Sequence, residues 1–565
     1  MLPTLPDAEC VLRRWFGYSS LRTPQRRAIS AVLRARDTLV VMPTGGGKSL
    51  CFQVPALMLN GLTVVLSPLV SLMKDQVDTL VAKGIPATGL HGGMSGGEQA
   101  EALVRVIRGS VKMLYLAPER LLAGRTIDAL RRVSTSLLAI DEAHCISEWG
   151  NDFRPAYRQM QDIRGPLGNP PVIALTATAT PDVRDDIRQV CGLRDPVQIV
   201  AGFDRPNLRY AVQRVSNARE RNRRLSELLA RRTGPAVVYA QTRSRVERIA
   251  STLRTSGVAA VPYHAGQLRD ARRAAQERFM RGDVDVIVAT CAFGMGVDKP
   301  NVRLVVHDAI SASLESYYQE AGRAGRDGAP SDCVLLYARA DRRSPEYFIR
   351  ASSPSAELVA AVHAAAVRQV RGSRGGTGPI DPAGVARTVK STPAEVSGAL
   401  TILSRAGAII DRRGDGDRVW VRLTGTPGRI AGQLARDSHE RHLLGALWSV
   451  TCGAVRSGCD VPLAALPPGL GSVGLVNALD ALMKANLIVW ERPQAGLFLS
   501  AGPASLAAPA IDWAAIDTRR IVARQRLAAM VRYAESRVCR RRVLLGYFGD
   551  HSGSARCDAC DRCQV

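Results

Sequence analysis

Short runs of β-branched and apolar residues recur through residues 1–340, each bounded by turn residues and separated by stretches of helix length. One group is 38–42 (TLVVM), 63–66 (TVVL), 113–117 (MLYLA), 137–140 (LLAI) and 172–176 (VIALT). A second is 236–240 (AVVYA), 284–289 (VDVIVA), 303–307 (RLVVH) and 334–337 (VLLY). Strands that are apolar on both faces and alternate with helices predict parallel sheets covered on both sides. In such sheets ligands bind at the carboxyl ends of the strands. The two groups predict two α/β domains, 1–205 and 206–342. From 343 the pattern turns helical and Ala-rich, so 343–380 reads as a connector closed by a polar linker, RGSRGGTGP at 371–379. Beyond it, ALTILSRAGAII (399–410) recurs as ALDALMKANLIV (478–489). Each copy reads as helix, turn and strand, and each is followed by a stretch with a Gly-containing hairpin turn, DRRGDGDRVWVRL and WERPQAGLFLS. This pattern predicts winged-helix-like units at 381–430 and 431–505, with a helical module at 506–565. An ordinary α+β packing module is the plainer alternative.

Composition adds partners to this outline. The 565 residues carry 76 Lys+Arg against 51 Asp+Glu, a formal charge of +25, and 46% are apolar, enough to build cores and to exclude general disorder. No apolar run is long enough to span a bilayer. The start, MLPTLPDAECVLRRW, lacks the basic and apolar regions of a secretory signal. A soluble, cytoplasmic protein is expected. The positive charge predicts a polyanionic partner such as nucleic acid, although 69 Arg against seven Lys also fits GC-rich coding. The densest part is 518–565, where eleven Arg face four acidic residues and suggest a phosphate-binding surface.

Five constellations carry chemistry. The run TLVVM leads into PTGGGKS, a Gly-rich loop in which Thr44, Gly45, Gly46 and Gly47 would cradle phosphates. Lys48 would reach the β- and γ-phosphates of ATP and Ser49 would hold Mg²⁺. The strict pattern has Gly where this chain has Met42. The strand 137–140 delivers Asp141 and Glu142, suited to binding Mg²⁺ and orienting the attacking water. QEAGRAGRDG offers Gln319, Arg323 and Arg326 from the second α/β domain, cations that could meet a γ-phosphate from across a cleft. Cys539, Cys557, Cys560 and Cys563 have the spacing C-x17-C-x2-C-x2-C, which suits tetrahedral Zn²⁺. An iron–sulfur cluster is the other four-thiolate reading, and disulfides fit an intracellular chain less well. The remaining eight cysteines read as inert. CISEWGNDFRPAY puts Trp149, Phe153 and Arg154 just after the carboxylates, where aromatic faces could stack on bases or simply be buried.

Across residues 13–342 these motifs resemble those of the RecQ family of DEAH-box, superfamily 2 DNA helicases. FGYSSLRTPQ resembles the family's leading motif, which implies that Gln25, with Arg22, contacts the nucleotide. SPLVSLMKDQV resembles a DNA-contacting segment that includes Ser67 and Pro68, and TAT, with Thr176 and Thr178, a coupling motif in which His144 takes part. FDRPNL resembles the interdomain segment, and ATCAFGMGVDKPNVR would bring Asp298 to the ATP/Mg site. The stretch with Trp149, Phe153 and Arg154 resembles the family's most specific motif, with Asn151 where His is common; Asn cannot titrate near neutral pH. The four cysteines resemble the RecQ zinc module. That module directly follows the helicase core in the usual arrangement, whereas here residues 343–538 intervene.

The resemblance implies two RecA-like domains closing on ATP and Mg²⁺, a bound Zn²⁺, and 3′-to-5′ movement on single-stranded DNA with unwinding of duplex or branched DNA in repair or recombination. A bacterial protein of this kind would associate with the nucleoid. The stretch around 411–420, with Arg412, Arg413, Arg418 and Trp420, is expected to act as the wing that splits the duplex. An RNA helicase is one rival reading. The other is a winged-helix DNA-binding or architectural protein with DNA-stimulated ATPase and little unwinding.

Overall fold

All nine apolar runs fall on strands of two parallel sheets in a computed structural model of the chain. The structure describes residues 3–43, 45–91, 94, 96–121, 124–147, 157, 163–294, 299–371, 379–411, 418–435, 438–451, 453–456, 458–462, 466, 471–491, 496–499, 511–551 and 556–564. The first sheet holds β1 (Thr38–Val41), β2 (Leu62–Leu66), β3 (Ala87–Leu90), β4 (Met113–Leu116), β5 (Thr135–Ile140), β6 (Val172–Thr176) and β7 (Val197–Val200), in the order β3-β4-β2-β5-β6-β1-β7. The second holds β8 (Leu208–Arg214), β9 (Ala236–Tyr239), β10 (Ala260–Tyr263), β11 (Val286–Ala289), β12 (Leu304–His307) and β13 (Ser331–Tyr337), in the order β10-β11-β9-β12-β13-β8. Every residue of β1, β2 and β4 is buried, as expected of strands covered by helices on both faces. The α/β architecture with two parallel sheets is as expected.

A buried ion pair pins the amino end of the first sheet. Arg164 donates to both carboxylate oxygens of Asp37, at 2.7 and 2.8 Å, and the same carboxylate accepts the Val172 and Arg194 amides. Asp37 precedes β1 and Val172 opens β6, so one side chain sets the start of two neighbouring strands. Two charges out of water are tolerable here because every oxygen is occupied.

The chain divides into two units, Met1–Gly92 with Ala102–Tyr347 and Ile521–Val565, and Gly93–Glu101 with Phe348–Arg520. Within the second unit the repeat forms as expected: helix Pro393–Arg405 leads to β14 (Ile409–Asp411), and helix Gly471–Lys484 leads to β17 (Ile488–Glu491). Corresponding turns carry Gly407 and Asn486, both left-handed, at φ 76° and 56°. Among the described residues the two expected hairpins do not form. β14 pairs antiparallel with β18 (Leu497–Leu499), while β15 (Arg418–Leu423) pairs with β16 (Cys459–Pro462) and β17. The first copy thus owns β14 and β18, with a core that includes Val359, Leu400, Ile409 and Leu497. The run 418–423, read with the first copy, packs with Val461, Leu479 and Ile488 in a second core. One helix–turn–strand unit is therefore inserted between the two paired strands of the other. Arg412 and Arg413 lie outside the described residues.

The segment 521–565 belongs to the first unit and lies along the second sheet. Tyr210 on the edge strand β8 forms a parallel bridge with Cys560, and Asp561 accepts the Val212 amide at 3.2 Å. Phe548 stacks on Phe203 at a ring-centroid distance of 4.6 Å, both fully buried. The residues that separate this module from the core in sequence do not separate it in space.

Candidate functional site

β1 ends at Val41, and the chain turns through 42–49 before helix Leu50–Met58. Gly45 and Gly47 take left-handed φ values of 80° and 75°, which strain any side chain. A Cβ on Gly47 would collide with the Gln25 amide, and one on Gly46 would stand 2.9 Å from Pro43 O. Gln25 Nε2 donates to Gly46 O and Gly47 O, each at 3.2 Å, and Arg22 Nη1 donates to Gly45 O at 3.3 Å. The Arg22 amide in turn donates to Gln25 Oε1 at 2.8 Å, which fixes the amide group's orientation. Met42 needs no glycine: its φ is not positive, its side chain is core, and its carbonyl accepts from Lys48 Nζ at 3.2 Å. Burial lowers the Lys48 pKa, against the pull of Glu142 and Asp141. A phosphate chain laid in this cradle would give the buried ammonium its counter-charge. Ser49 stands at the N-cap of the helix without spending its hydroxyl on the cap.

β5 delivers the two carboxylates to the carboxyl edge of the sheet. Asp141 Oδ1 accepts the Glu142 amide at 3.0 Å, and Oδ2 accepts Gln76 Nε2 at 3.4 Å. Glu142 has φ 49° and ψ 46°, a left-handed conformation that costs a non-glycine residue roughly 1–2 kcal/mol. His144 Nδ1 lies 3.2 Å from Glu142 Oε2 and 3.0 Å from Thr176 Oγ1. Burial and the neighbouring Glu142 charge push the Asp141 pKa up. Burial also opposes charge on Glu142, but His144, Lys48 and Arg323 outweigh it and hold that pKa down. Burial and charge thus shift the two adjacent carboxylates in opposite directions.

The second sheet completes the arrangement. Thr176 Oγ1 donates to Thr178 O at 3.1 Å, and Gln319 Nε2 donates to Thr178 Oγ1 at 2.8 Å. A Cβ on Gly45 would meet Arg326 Cγ at 3.8 Å, so this arginine reaches the glycine loop of the other sheet. Arg323 is buried and close enough to Glu142 to lower its pKa. The structure therefore brings together Arg22, Gln25, Gly45, Gly46, Gly47, Lys48, Asp141, Glu142, His144, Thr176, Thr178, Gln319, Arg323 and Arg326. Ser67 and Pro68 are buried at the carboxyl end of β2, where the Ser67 amide donates to Leu116 O at 3.1 Å. Thr44, Asp298, Trp149, Asn151, Phe153 and Arg154 lie outside the described residues. Gln76 was not foreseen. It sits in the segment read as a DNA contact, yet it turns to Asp141, because its helix follows β2 and β2 pairs with β5.

The thiols of Cys539, Cys557, Cys560 and Cys563 all lie within 4.8 Å of one another. Four sulfurs at about 2.3 Å from one zinc stand under 4 Å apart, so the cluster fits the ion with little adjustment. The cluster is closed by local geometry: the Cys557 amide donates to Cys563 Sγ at 3.4 Å and Asp558 takes φ 51°. Elsewhere burial pushes the Cys51 thiol up to about 12 and also raises Cys191 and Cys333, which leaves them protonated. The arginine-rich stretch 518–565 needs correction as a phosphate surface. Arg540 is fully buried on Asp561, Arg541 caps backbone carbonyls, and Arg526 Nε is 3.6 Å from Glu315. Arg524, Arg532, Arg537, Arg542 and Arg556 are the exposed ones.

Three family models match the chain: DEAD/DEAH box helicase over residues 22–187, helicase conserved C-terminal domain over 220–328, and RecQ zinc-binding over 510–564. An ATP-dependent DNA helicase RecQ of Pasteurella multocida is 45% identical over 340 residues, 60% of this chain and 54% of that one. The RecQ helicase of Bacillus subtilis is 45% identical over 351 residues, 62% of this chain and 59% of that one. The probable ATP-dependent DNA helicase RecS of Bacillus subtilis is 40% identical over 353 residues, 62% of this chain and 71% of that one. The chain thus spans little more than half the length of these two RecQ proteins. A solved structure of the DUF1998 helicase MrfA bound to DNA and AMPPNP is 23% identical, with a TM-score of 0.50 over 61% of this chain and 52% of that one, a likeness of fold alone. Among the described residues no helix is long and apolar enough to cross a membrane.

Proposed function

The chain belongs to the RecQ family, and from that premise we propose that it is an ATP-dependent DNA helicase that moves 3′ to 5′ along a single strand and unwinds duplex or branched DNA. The observation that carries this reading is the shared site: the glycine loop and carboxylates come from one sheet, Gln319, Arg323 and Arg326 from the other. A nucleotide bound there ties the two sheets together, and its hydrolysis releases them. Such a cycle is what a translocating motor needs.

In this mechanism Gln25 and Arg22 hold the nucleotide end of the cradle, and the loop amides of 45–49 take the phosphate oxygens. Lys48 would leave Met42 O for the β/γ-phosphates. Asp141 and Ser49 would hold Mg²⁺, which supplies positive charge to the phosphate oxygens. Glu142, ionised and held by His144, orients the attacking water. Arg323 and Arg326 reach the γ-phosphate from the opposite sheet, a contribution worth about 10³–10⁵ in rate where an arginine serves this role. Thr176, Thr178 and Gln319 link the Glu142–His144 pair to the second sheet. The four cysteines would hold Zn²⁺ as a structural ion. Trp149, Phe153 and Arg154 are proposed to sense the single strand, and Arg412 and Arg413 to contact the duplex. Repair or recombination in a nucleoid-associated, cytoplasmic setting follows from the same reading.

Strand displacement with and without ATP tests it, with Lys48→Ala alongside. The unmutated chain should displace a strand only with ATP, from a substrate with a 3′ single-stranded tail, and Lys48→Ala should lose displacement and ATP hydrolysis together. ATP-independent DNA binding without displacement would instead favour an architectural DNA-binding protein.

A further inference from the structure

The loop that bears Arg323 and Arg326 is held by its carbonyls. Arg205 Nη1 donates to Gly322 O at 3.2 Å, and Nη2 donates to Ala324 O at 3.0 Å and Gly325 O at 2.8 Å. Asn207 Nδ2 adds bonds to Gly325 O at 2.8 Å and Ala329 O at 2.9 Å. Gly325 has φ 55°, and a Cβ there would stand 2.6 Å from Ala329 O, so the loop closes on these donors only with glycine. Three carbonyls gathered on one guanidinium use a fork of donors that an ammonium cannot reproduce.

Arg205 is itself seated. Arg541 Nη2 donates to Leu208 O at 2.9 Å, Pro206 O at 3.2 Å and Arg205 O at 3.3 Å, and its Nε lies 3.4 Å from Asp204 Oδ1. The strip 204–208 is thus gripped on its carbonyls by the helix Arg540–Tyr547, while its own side chains grip the carbonyls of 322–325.

We propose that Arg205 is a positioning residue for hydrolysis, setting the register of Arg323 and Arg326 against the glycine loop, with Arg541 holding Arg205 in place. This rests on the ATPase reading above. Arg205 touches no nucleotide; it acts by fixing the loop whose two arginines do. Displacing a charged group by about 1 Å in a preorganised site costs on the order of a hundredfold in rate.

The test uses the full chain with single-strand-stimulated ATPase, nucleotide affinity from a fluorescent ATP analogue, and DNA affinity from anisotropy. Arg205→Ala should lower kcat by about ten- to a hundredfold with analogue and DNA affinities changed less than about threefold. In an Arg323→Ala, Arg326→Ala background the same change should add less than about twofold, because both groups being positioned are gone. Arg205→Lys keeps the charge and stem and should still lose most of the rate, and it carries the test if the alanine variant fails to fold. Multiplying losses in that combined variant, or full rate in Arg205→Lys, would overturn the proposal while leaving the ATPase reading intact. A full chain that hydrolyses no ATP would overturn both.

Discussion

Gln319, on the helix Leu314–Ala321 beside the second sheet, and Thr178, just past β6 of the first, are joined by one hydrogen bond, Nε2 to Oγ1 at 2.8 Å. Thr178 returns the connection to Thr176, and Thr176 to His144, so a rotation of one sheet against the other pulls on the group that holds Glu142. Replacing Gln319 by Ala removes one such bond, about 1 kcal/mol, and should lower kcat of DNA-stimulated hydrolysis roughly fivefold. Steady-state rates at saturating ATP and oligonucleotide measure this; an unchanged kcat would speak against the linkage.

Asp37 and Arg164 offer a test of stability apart from chemistry. Arg164→Ala leaves a buried carboxylate holding only the amides of Val172 and Arg194. Breaking a buried pair from one side costs about 3–5 kcal/mol. The urea midpoint of the first sheet should fall accordingly, and Asp37→Asn, which keeps the shape and loses the charge, should fall too. A midpoint within error of the unmutated chain would show that water reaches the pair.

The inserted unit can be excised. Asp411 on β14 and Leu497 on β18 are direct antiparallel partners. Replacing residues 412–496 with a short Asn-Gly turn should leave the first core intact, since a hairpin turn can join those two positions. The shortened chain should melt cooperatively by circular dichroism and still hydrolyse ATP. Aggregation or loss of the transition would mean that the two cores depend on each other.

The cysteine cluster predicts metal content and its consequence. The purified chain should carry one zinc by elemental analysis and no visible absorption of the kind an iron–sulfur cluster gives. Cys560→Ser should lose the metal and lower the melting temperature, because Cys560 bridges to Tyr210 on β8. Chelation should do the same to the unmutated chain and zinc should restore it. Iron in stoichiometric amount would sink the zinc assignment.

The apolar runs exposed the centres of both sheets and none of their borders. The four strands without such a run are β3 and β7, which border the first sheet, and β10 and β8, which border the second. Each has a physical reason for silence: β3 contains Gly89, β10 contains Pro262, and β7 and β8 alternate between buried and exposed positions because one face meets water. The residues proposed for the ATP site, which the structure brings together, stood out in the sequence because phosphate chemistry demands particular residue types at fixed offsets. Gln76, Arg205 and Arg541 were not. They act on backbone carbonyls or on Asp141 across long sequence distances, and no local pattern encodes that. The hairpins failed for a related reason. Gly-containing turns and β-prone flanks mark where strands lie, whereas strand partners are chosen by the cores, and two similar repeats allow an exchange.

The closure of β8 by Asp561 has a consequence for how the protein is made. The Val212 amide waits for a carboxylate 349 residues downstream. At about 5–20 residues per second, synthesis of that interval takes tens of seconds. Throughout it, a nascent chain that already holds every residue of the proposed ATP site keeps an open β edge, with Phe203 and Tyr318 lacking the cover Phe548 later provides. A message cut short within the inserted units would therefore yield an adhesive fragment in need of a chaperone.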